Sequence, residues 1–173
     1  MTIDPKSIHC VLCSSGEHQP RVHLDPIERA YALAAEIHRD QRYGNLPYIC
    51  HPRAVAKVLQ RYGADEDTIC AAILHDAGED SGDSEGTMSI IKAEFDLPVY
   101  YLVGDMTRKA DESYEEYRMR IPPRAHPIKF ADSGHNLSGL TTGDRREARY
   151  VENLHHCWPA TRAALPNMPF WPW

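Results

Sequence analysis

A chain of 173 residues has the size of one compact domain and can bury roughly two-thirds of its unfolded surface. With 25% charged and 42% hydrophobic residues it is composed like a soluble globular protein, which excludes a disordered chain, a collagen and a membrane bundle. The 19 Lys and Arg against 25 Asp and Glu leave a formal net charge of −6; this argues against a general duplex-DNA binder, which needs a basic face, while local basic clusters can still grip a small phosphorylated ligand.

No stretch approaches the ~18 apolar residues of a membrane-spanning helix. The five cysteines are odd in number, and the start MTIDPKSIHC lacks the apolar run of a secretory signal, so a cytoplasmic chain with reduced thiols is expected. Ten histidines direct the search toward metal chemistry, imidazole being the commonest metal ligand.

In chain order, residues 1–24 show no helical or strand periodicity and read as a non-helical leader. Asp25, Pro26 and Glu28 supply a cap, a first helical position and a first-turn acid. They open a helix of about four turns with Ile27, Ala30, Tyr31, Ala34, Ile37 and His38 on one face. Tyr43 to Pro47 is turn chemistry. His51-Pro52 opens a second helix, on Ala54, Val55, Val58 and Leu59, that stops at Gly63. Asp67 begins a third, which runs through Ile69, Ala72, Ile73 and Leu74 into His75-Asp76. Thr87 caps a fourth, Pro98 opens a fifth, and a sixth covers Glu112 to about Met119. Further helices are expected over Ile128–Leu140 and Arg145–His156. Alternating β-branched runs of strand length are missing, so the fold class is all-α, a single helical bundle. Pro159, Pro166, Pro169 and Pro172 are expected to interrupt any helix, which divides the chain into leader 1–24, domain 25–158 and a Pro/Trp-rich tail 159–173. The tail's tryptophans favour packing back on the domain over exposure.

The densest chemistry is His75-Asp76-Ala77-Gly78-Glu79-Asp80 at the end of an apolar helix. Buried carboxylates need a cation or several donors, and a divalent metal supplies one. His51 and Asp132 are the natural further ligands: two imidazoles with two carboxylates suit Mn²⁺, Fe²⁺ or Zn²⁺ with open positions. Glu79 lies three residues beyond Asp76, so a continuing helical turn keeps it on the metal side, where it can accept a proton from water. In the leader, Cys10, Cys13, His18 and His23 have the spacing of a zinc knuckle with its last Cys replaced by His, a candidate second, structural Zn²⁺ site.

The series Tyr48-Ile49-Cys50-His51-Pro52, His75 to Asp80, and Lys129-Phe130-Ala131-Asp132-Ser133-Gly134-His135-Asn136-Leu137 resembles the HD-domain hydrolases of the RelA/SpoT kind, small alarmone hydrolases among them. The resemblance runs from about Ala30 to Tyr150. It implies one Mn²⁺ held by His51, His75, Asp76 and Asp132, with Glu79 and Asp80 as the acidic pair that activates water and Asn136 near the nucleotide sugar. The implied reaction removes the 3′-diphosphate of (p)ppGpp, giving GDP or GTP and pyrophosphate. Arg42 matches the start of the family's basic loop, but the Arg-Lys that follow are here Tyr43 and Gly44. Lys109 lies in the family's Thr-plus-basic segment, and Arg146 with Tyr150 keeps its Arg-x-x-x-Tyr spacing; Arg pairs with phosphate, and Tyr stacks or hydrogen-bonds. The altered loop leaves other substrates open: the 2′-phosphate of NADPH, a (deoxy)nucleoside triphosphate or a nucleoside monophosphate. A non-catalytic nucleotide-sensing module is a third reading, against which the intact Glu79-Asp80 pair speaks. The expected partner is a small phosphorylated nucleotide, with neither duplex DNA nor membrane; the number of subunits, including a homo-oligomer, is left open.

Overall fold

The structure, a computed structural model, describes residues 24–173; the zinc-site expectation at Cys10, Cys13, His18 and His23 lies outside the described residues. Asp25 Oδ1 accepts the Glu28 amide at 2.8 Å while Glu28 Oε2 accepts the Asp25 amide at 3.2 Å, a reciprocal cap that starts α1 (Pro26–Ile37) where the sequence predicts it. The turn beyond is a two-stranded antiparallel hairpin, β1 (Arg42–Tyr43) and β2 (Leu46–Pro47), with Tyr43 opposite Leu46. Gly44 takes φ +59° at its tip, a conformation a β-carbon disfavours. The chain then runs through α2 (Cys50–Arg61), α3 (Glu66–Ile73), α4 (Ala77–Asp80), α5 (Ser84–Glu94), α6 (Leu97–Met106), α7 (Tyr114–Arg120), a 3₁₀ turn (Pro123–Ala125), α8 (His126–Ser138) and α9 (Glu147–Ala164). The class is all-α, as expected, with the hairpin as a local addition.

Several starts differ from the sequence reading: α7 begins at Tyr114 after a Ser113 cap rather than at Glu112, and α8 begins at His126 rather than Ile128. Asp65 and Asp83, not Asp67 and Thr87, cap α3 and α5, accepting the amides of Thr68 at 2.8 Å and Gly86 at 2.9 Å; an upstream aspartate that reaches the third amide wins the cap, and Thr87 is buried inside its helix. The third helix also stops sooner, at Ile73, so His75 and Asp76 occupy a turn between α3 and α4. Pro159 does not interrupt α9, which continues to Ala164. The ring removes the bond to the carbonyl four residues back, and both Pro159 and His155 lie on the exposed side of the helix, where water replaces it.

Two helices sit at the centre. The run Ile69 to Ile73 of α3 is buried at every residue, as expected of a helix that is apolar all round, with α1, α2 and α6 packed about it. α8 is buried from His126 to Ser133 except at Lys129 and is held between α2 and α9. Phe130, fully buried, meets the Trp158 ring at 5.3 Å and Phe170 at 5.8 Å. The Pro/Trp segment packs back in part: Met168 is in the core and Trp173 lies partly buried against it, whereas Phe170 and Trp171 stay exposed, contrary to the expectation for Trp171. No helix among the described residues is long and apolar enough to cross a membrane.

Candidate metal centre

Three local choices bring the site together. The first turn of α2 carries His51, the break after α3 presents His75 and Asp76, and the middle of α8 carries Asp132. His51 and His75 are each 1% exposed and Asp132 5%, and one ligand atom from each lies within 4.8 Å of the other two, close enough for one ion to reach all three. Asp76 joins them: its Oδ2 is 3.0 Å from His75 Nε2 and 3.6 Å from His51 Nε2, while Asp132 Oδ1 is 3.3 Å from His51 Nε2 and 3.6 Å from His75 Nε2.

The ring nitrogens test whether a cation fits. His75 Nδ1 donates to the Ala72 carbonyl at 2.7 Å, so in the neutral ring the lone pair is on Nε2. That atom is buried and faces two carboxylates, Asp76 Oδ2 at 3.0 Å and Asp132 Oδ1 at 3.6 Å. A lone pair among acceptors is stable only with a positive charge between them. Burial works against a charged imidazole at His75, yet Asp76 and Asp132 outweigh it and hold its pKa well above the ordinary value. Burial likewise opposes the Asp132 carboxylate; Lys129 first, then His51 and His75, hold its pKa well below the carboxylate range. The donor set suits a divalent cation.

Further side chains orient the set. Tyr48 donates to Asp76 Oδ2 at 2.6 Å, Lys129 Nζ lies 2.9 Å from Asp132 Oδ2, and Asn136 Nδ2 donates to Asp132 Oδ1 at 2.6 Å. His135 Nδ1 is 2.7 Å from His51 Nδ1. Tyr48, Lys129 and His135 carry no role that their sequence positions alone assign. The signal was present in α8, where positions 129, 132, 135 and 136 share one helix face.

Glu79 and Asp80 end α4, beside the cluster. Glu79 Oε1 accepts the Arg108 amide at 2.6 Å, and Gln41 Nε2 donates to the Asp80 carbonyl at 2.9 Å, tying the hairpin base to α4. Burial raises the Glu79 pKa above the ordinary value, the Arg108 amide opposing and the Asp76 charge adding; burial and then Asp76 do the same at Asp80. Gly78 is the close approach that seats α4: a Cβ there would overlap Thr107 Oγ1 and come 3.0 Å from its Cγ2, and Thr107 is held by the Val103 carbonyl at 2.9 Å. Gly78→Ala is expected to separate α4 from the 107–112 loop, costing about 1–3 kcal/mol and the Glu79–Arg108 bond; a melting temperature equal to wild type would count against this packing.

The residues predicted to meet substrate are less gathered. Tyr150 is buried and accepts from Arg149 at 3.0 Å. Arg146 is exposed and forked onto Asp144 at 3.0 and 2.9 Å. Arg42 and Lys109 are exposed, with no ion pair among the described residues. In the segment of Lys109 it is the Arg108 backbone that touches Glu79, while its guanidinium lies 5.0 Å from the Tyr114 ring, which Arg149 covers at 4.0 Å. Tyr43, in place of a basic residue, stacks 4.9 Å from His51 and 5.2 Å from His135 and donates to Asn136 Oδ1 at 3.3 Å. Burial, then the charges of Asp132 and Tyr150, push its pKa up to about 12, so the hydroxyl stays protonated. A separate cleft of about 540 Å³ between Asp67, Tyr101, Pro127 and Leu165 contains none of these residues, and its Arg124 is paired with Asp105 at 2.7 Å.

An all-helical bundle with two histidines and two aspartates converging between its central helices defines the class, and a family model described as an HD domain matches residues 30–156. The chain belongs to the HD-domain family. It is 37% identical over 134 residues to the guanosine-3′,5′-bis(diphosphate) 3′-pyrophosphohydrolase of Aquifex aeolicus, a match that covers 71% of this chain and 19% of that protein. Against a probable GTP pyrophosphokinase of Mycobacterium leprae it is 37% identical over 134 residues, 70% of this chain and 16% of that protein. The chain thus spans about a fifth or less of these curated relatives. A solved metazoan ortholog of SpoT that hydrolyses ppGpp shares the fold, with a TM-score of 0.60 at 22% identity, over 86% of this chain and 90% of that one.

Proposed function

We propose that this chain is an Mn²⁺-dependent phosphohydrolase that removes the 3′-diphosphate of (p)ppGpp, releasing GDP or GTP and pyrophosphate, and that it acts in the cytoplasm. The carrying observation is the buried convergence of His51, His75 and Asp132, whose ligand atoms lie within 4.8 Å of one another, with Asp76 Oδ2 3.0 Å from His75 Nε2; the relatives named for ppGpp 3′-pyrophosphohydrolysis support the substrate. His51, His75, Asp76 and Asp132 would hold the cation, with Fe²⁺ or Zn²⁺ as alternatives to Mn²⁺. When bound, a divalent cation lowers the pKa of water and offsets phosphoryl charge.

The chain's own groups do the rest. Glu79 accepts the proton of the attacking water, whose oxygen bonds to the phosphorus on O3′ as the P–O3′ bond breaks and O3′ gains a proton. Asp80 holds that water in line. Arg42, Lys109 and Arg146 pair with phosphate oxygens, Asn136 meets the sugar and Tyr150 stacks or hydrogen-bonds. The free thiols Cys50, Cys70 and Cys157 fit a reducing compartment.

One observation favours a different nucleotide: the ring of Tyr43 covers His51 where the resembling hydrolases carry positive charge. Product release from ppGpp, pppGpp, ppApp, NADPH, dNTPs and NMPs, with Mn²⁺ present or chelated, tests both. Pyrophosphate from ppGpp, lost on chelation, is expected. Cation-dependent release from another member alone would replace the substrate, and silence across the panel would favour a nucleotide-sensing module.

A further inference from the structure

His51 and His135 meet nitrogen to nitrogen, Nδ1 to Nδ1, at 2.7 Å. At that distance one ring donates and the other accepts. If His135 donates, the proton of neutral His51 is on Nε2 and points at Asp132 Oδ1, 3.3 Å away, filling the direction a cation would use. If His51 donates, its Nε2 lone pair faces Asp76 and Asp132 beside that of His75. The bond made by the second ring nitrogen therefore decides whether the first can bind a metal.

The packing holds His135 for this contact. Its ring contacts Tyr43, 5.2 Å away at an interplanar angle of 29°, and Trp173, 5.1 Å away. Trp173 is fixed by a notch: Gly134 has no side chain, and a Cβ there would overlap the indole Nε1. That Nε1 is buried without a partner, so the indole is kept by shape and not by a hydrogen bond.

Resting on the cation-site reading above, we propose that His135 is a positioning residue for that site: its Nδ1 accepts the Nδ1 proton of His51 and keeps the His51 Nε2 lone pair directed at the cation, with Trp173 in the Gly134 notch bracing its ring. His135 touches neither the cation nor the substrate. A metal ligand here takes its orientation from another histidine, which offers an acceptor without adding charge.

The test compares His135→Asn with His135→Leu in the full chain. The two replacements share a branched side chain of four heavy atoms, and Asn Oδ1 falls where His Nδ1 stood, so the acceptor is the main chemical difference between them. Mn²⁺ binding is measured by calorimetry on metal-stripped protein, and melting temperature is read in chelator. His135→Leu is expected to weaken Mn²⁺ about 10–100-fold at the melting temperature of His135→Asn, which stays close to wild type in affinity. Equal affinities for the two variants would overturn the proposal. If His135→Leu does not fold, His135→Phe, which keeps the ring packing and lacks the acceptor, takes its place under the same criterion. Wild-type protein that binds no Mn²⁺ would overturn the cation site itself and this inference with it, a result distinct from equal affinities.

Discussion

Asp132→Asn is expected to abolish cation binding, to lower turnover of ppGpp by at least ~10³-fold and to destabilise the fold by about 3–5 kcal/mol. The two losses have separate origins in one carboxylate. Oδ1 faces His51 and His75, where it would supply an anionic ligand. Oδ2 neutralises Lys129, whose Nζ lies 2.9 Å away and 4.9 Å from the Tyr117 ring in a side chain only 12% exposed. An amide of the same shape leaves that ammonium buried without its counter-charge. The double variant Lys129→Met/Asp132→Asn removes the orphaned charge, so it should recover most of the stability and none of the turnover. Chemical denaturation and a pyrophosphate assay measure the two quantities. Asp132→Asn protein that still turns over, or a double variant as unstable as the single one, would break the corresponding half of the argument.

Glu79→Gln is expected to lower turnover ~10²–10⁴-fold with cation content and stability unchanged. The amide keeps an oxygen for the Arg108 backbone, so the loop contact at 2.6 Å survives and only the proton acceptor is lost. Burial sets the wild-type pKa above the ordinary carboxyl value, and a base moved toward neutrality is a better match to its task. The protonated carboxyl cannot accept a proton. Wild-type turnover should therefore fall as the pH drops through that raised pKa, and Glu79→Gln should lack this acid limb. Turnover equal to wild type at normal metal content would remove Glu79 from the chemistry.

Much of this was legible from the sequence because local rules govern it. The Asp25/Glu28 cap, the buried run of α3 and the glycine stop at Gly63 follow from neighbours a few residues apart. The cluster was legible from motif order, and the fold brings His51, His75 and Asp132 together with Asp76 beside the two histidines. What escaped depends on long-range contact. The pairing of His135 with His51 joins α8 to α2, and Trp173 reaches Gly134 across the bundle. Pro159 read as a break because its cost depends on whether His155 faces water, which the sequence does not state. His75-Asp76 reads as the end of a helix because the apolar run continues through Leu74, whereas α3 stops at Ile73 and the pair occupies a turn. The residues expected to meet substrate were least legible: Arg42 and Lys109 are exposed and Arg146 forks onto Asp144, so the fold by itself does not gather them.

The most direct test of the central claim is an anomalous difference map, recorded at the manganese edge, from crystals of the chain grown with Mn²⁺. The account predicts one peak per chain, bounded by His51 Nε2, His75 Nε2, Asp76 and Asp132 Oδ1. An empty centre, or manganese held only elsewhere, would contradict it.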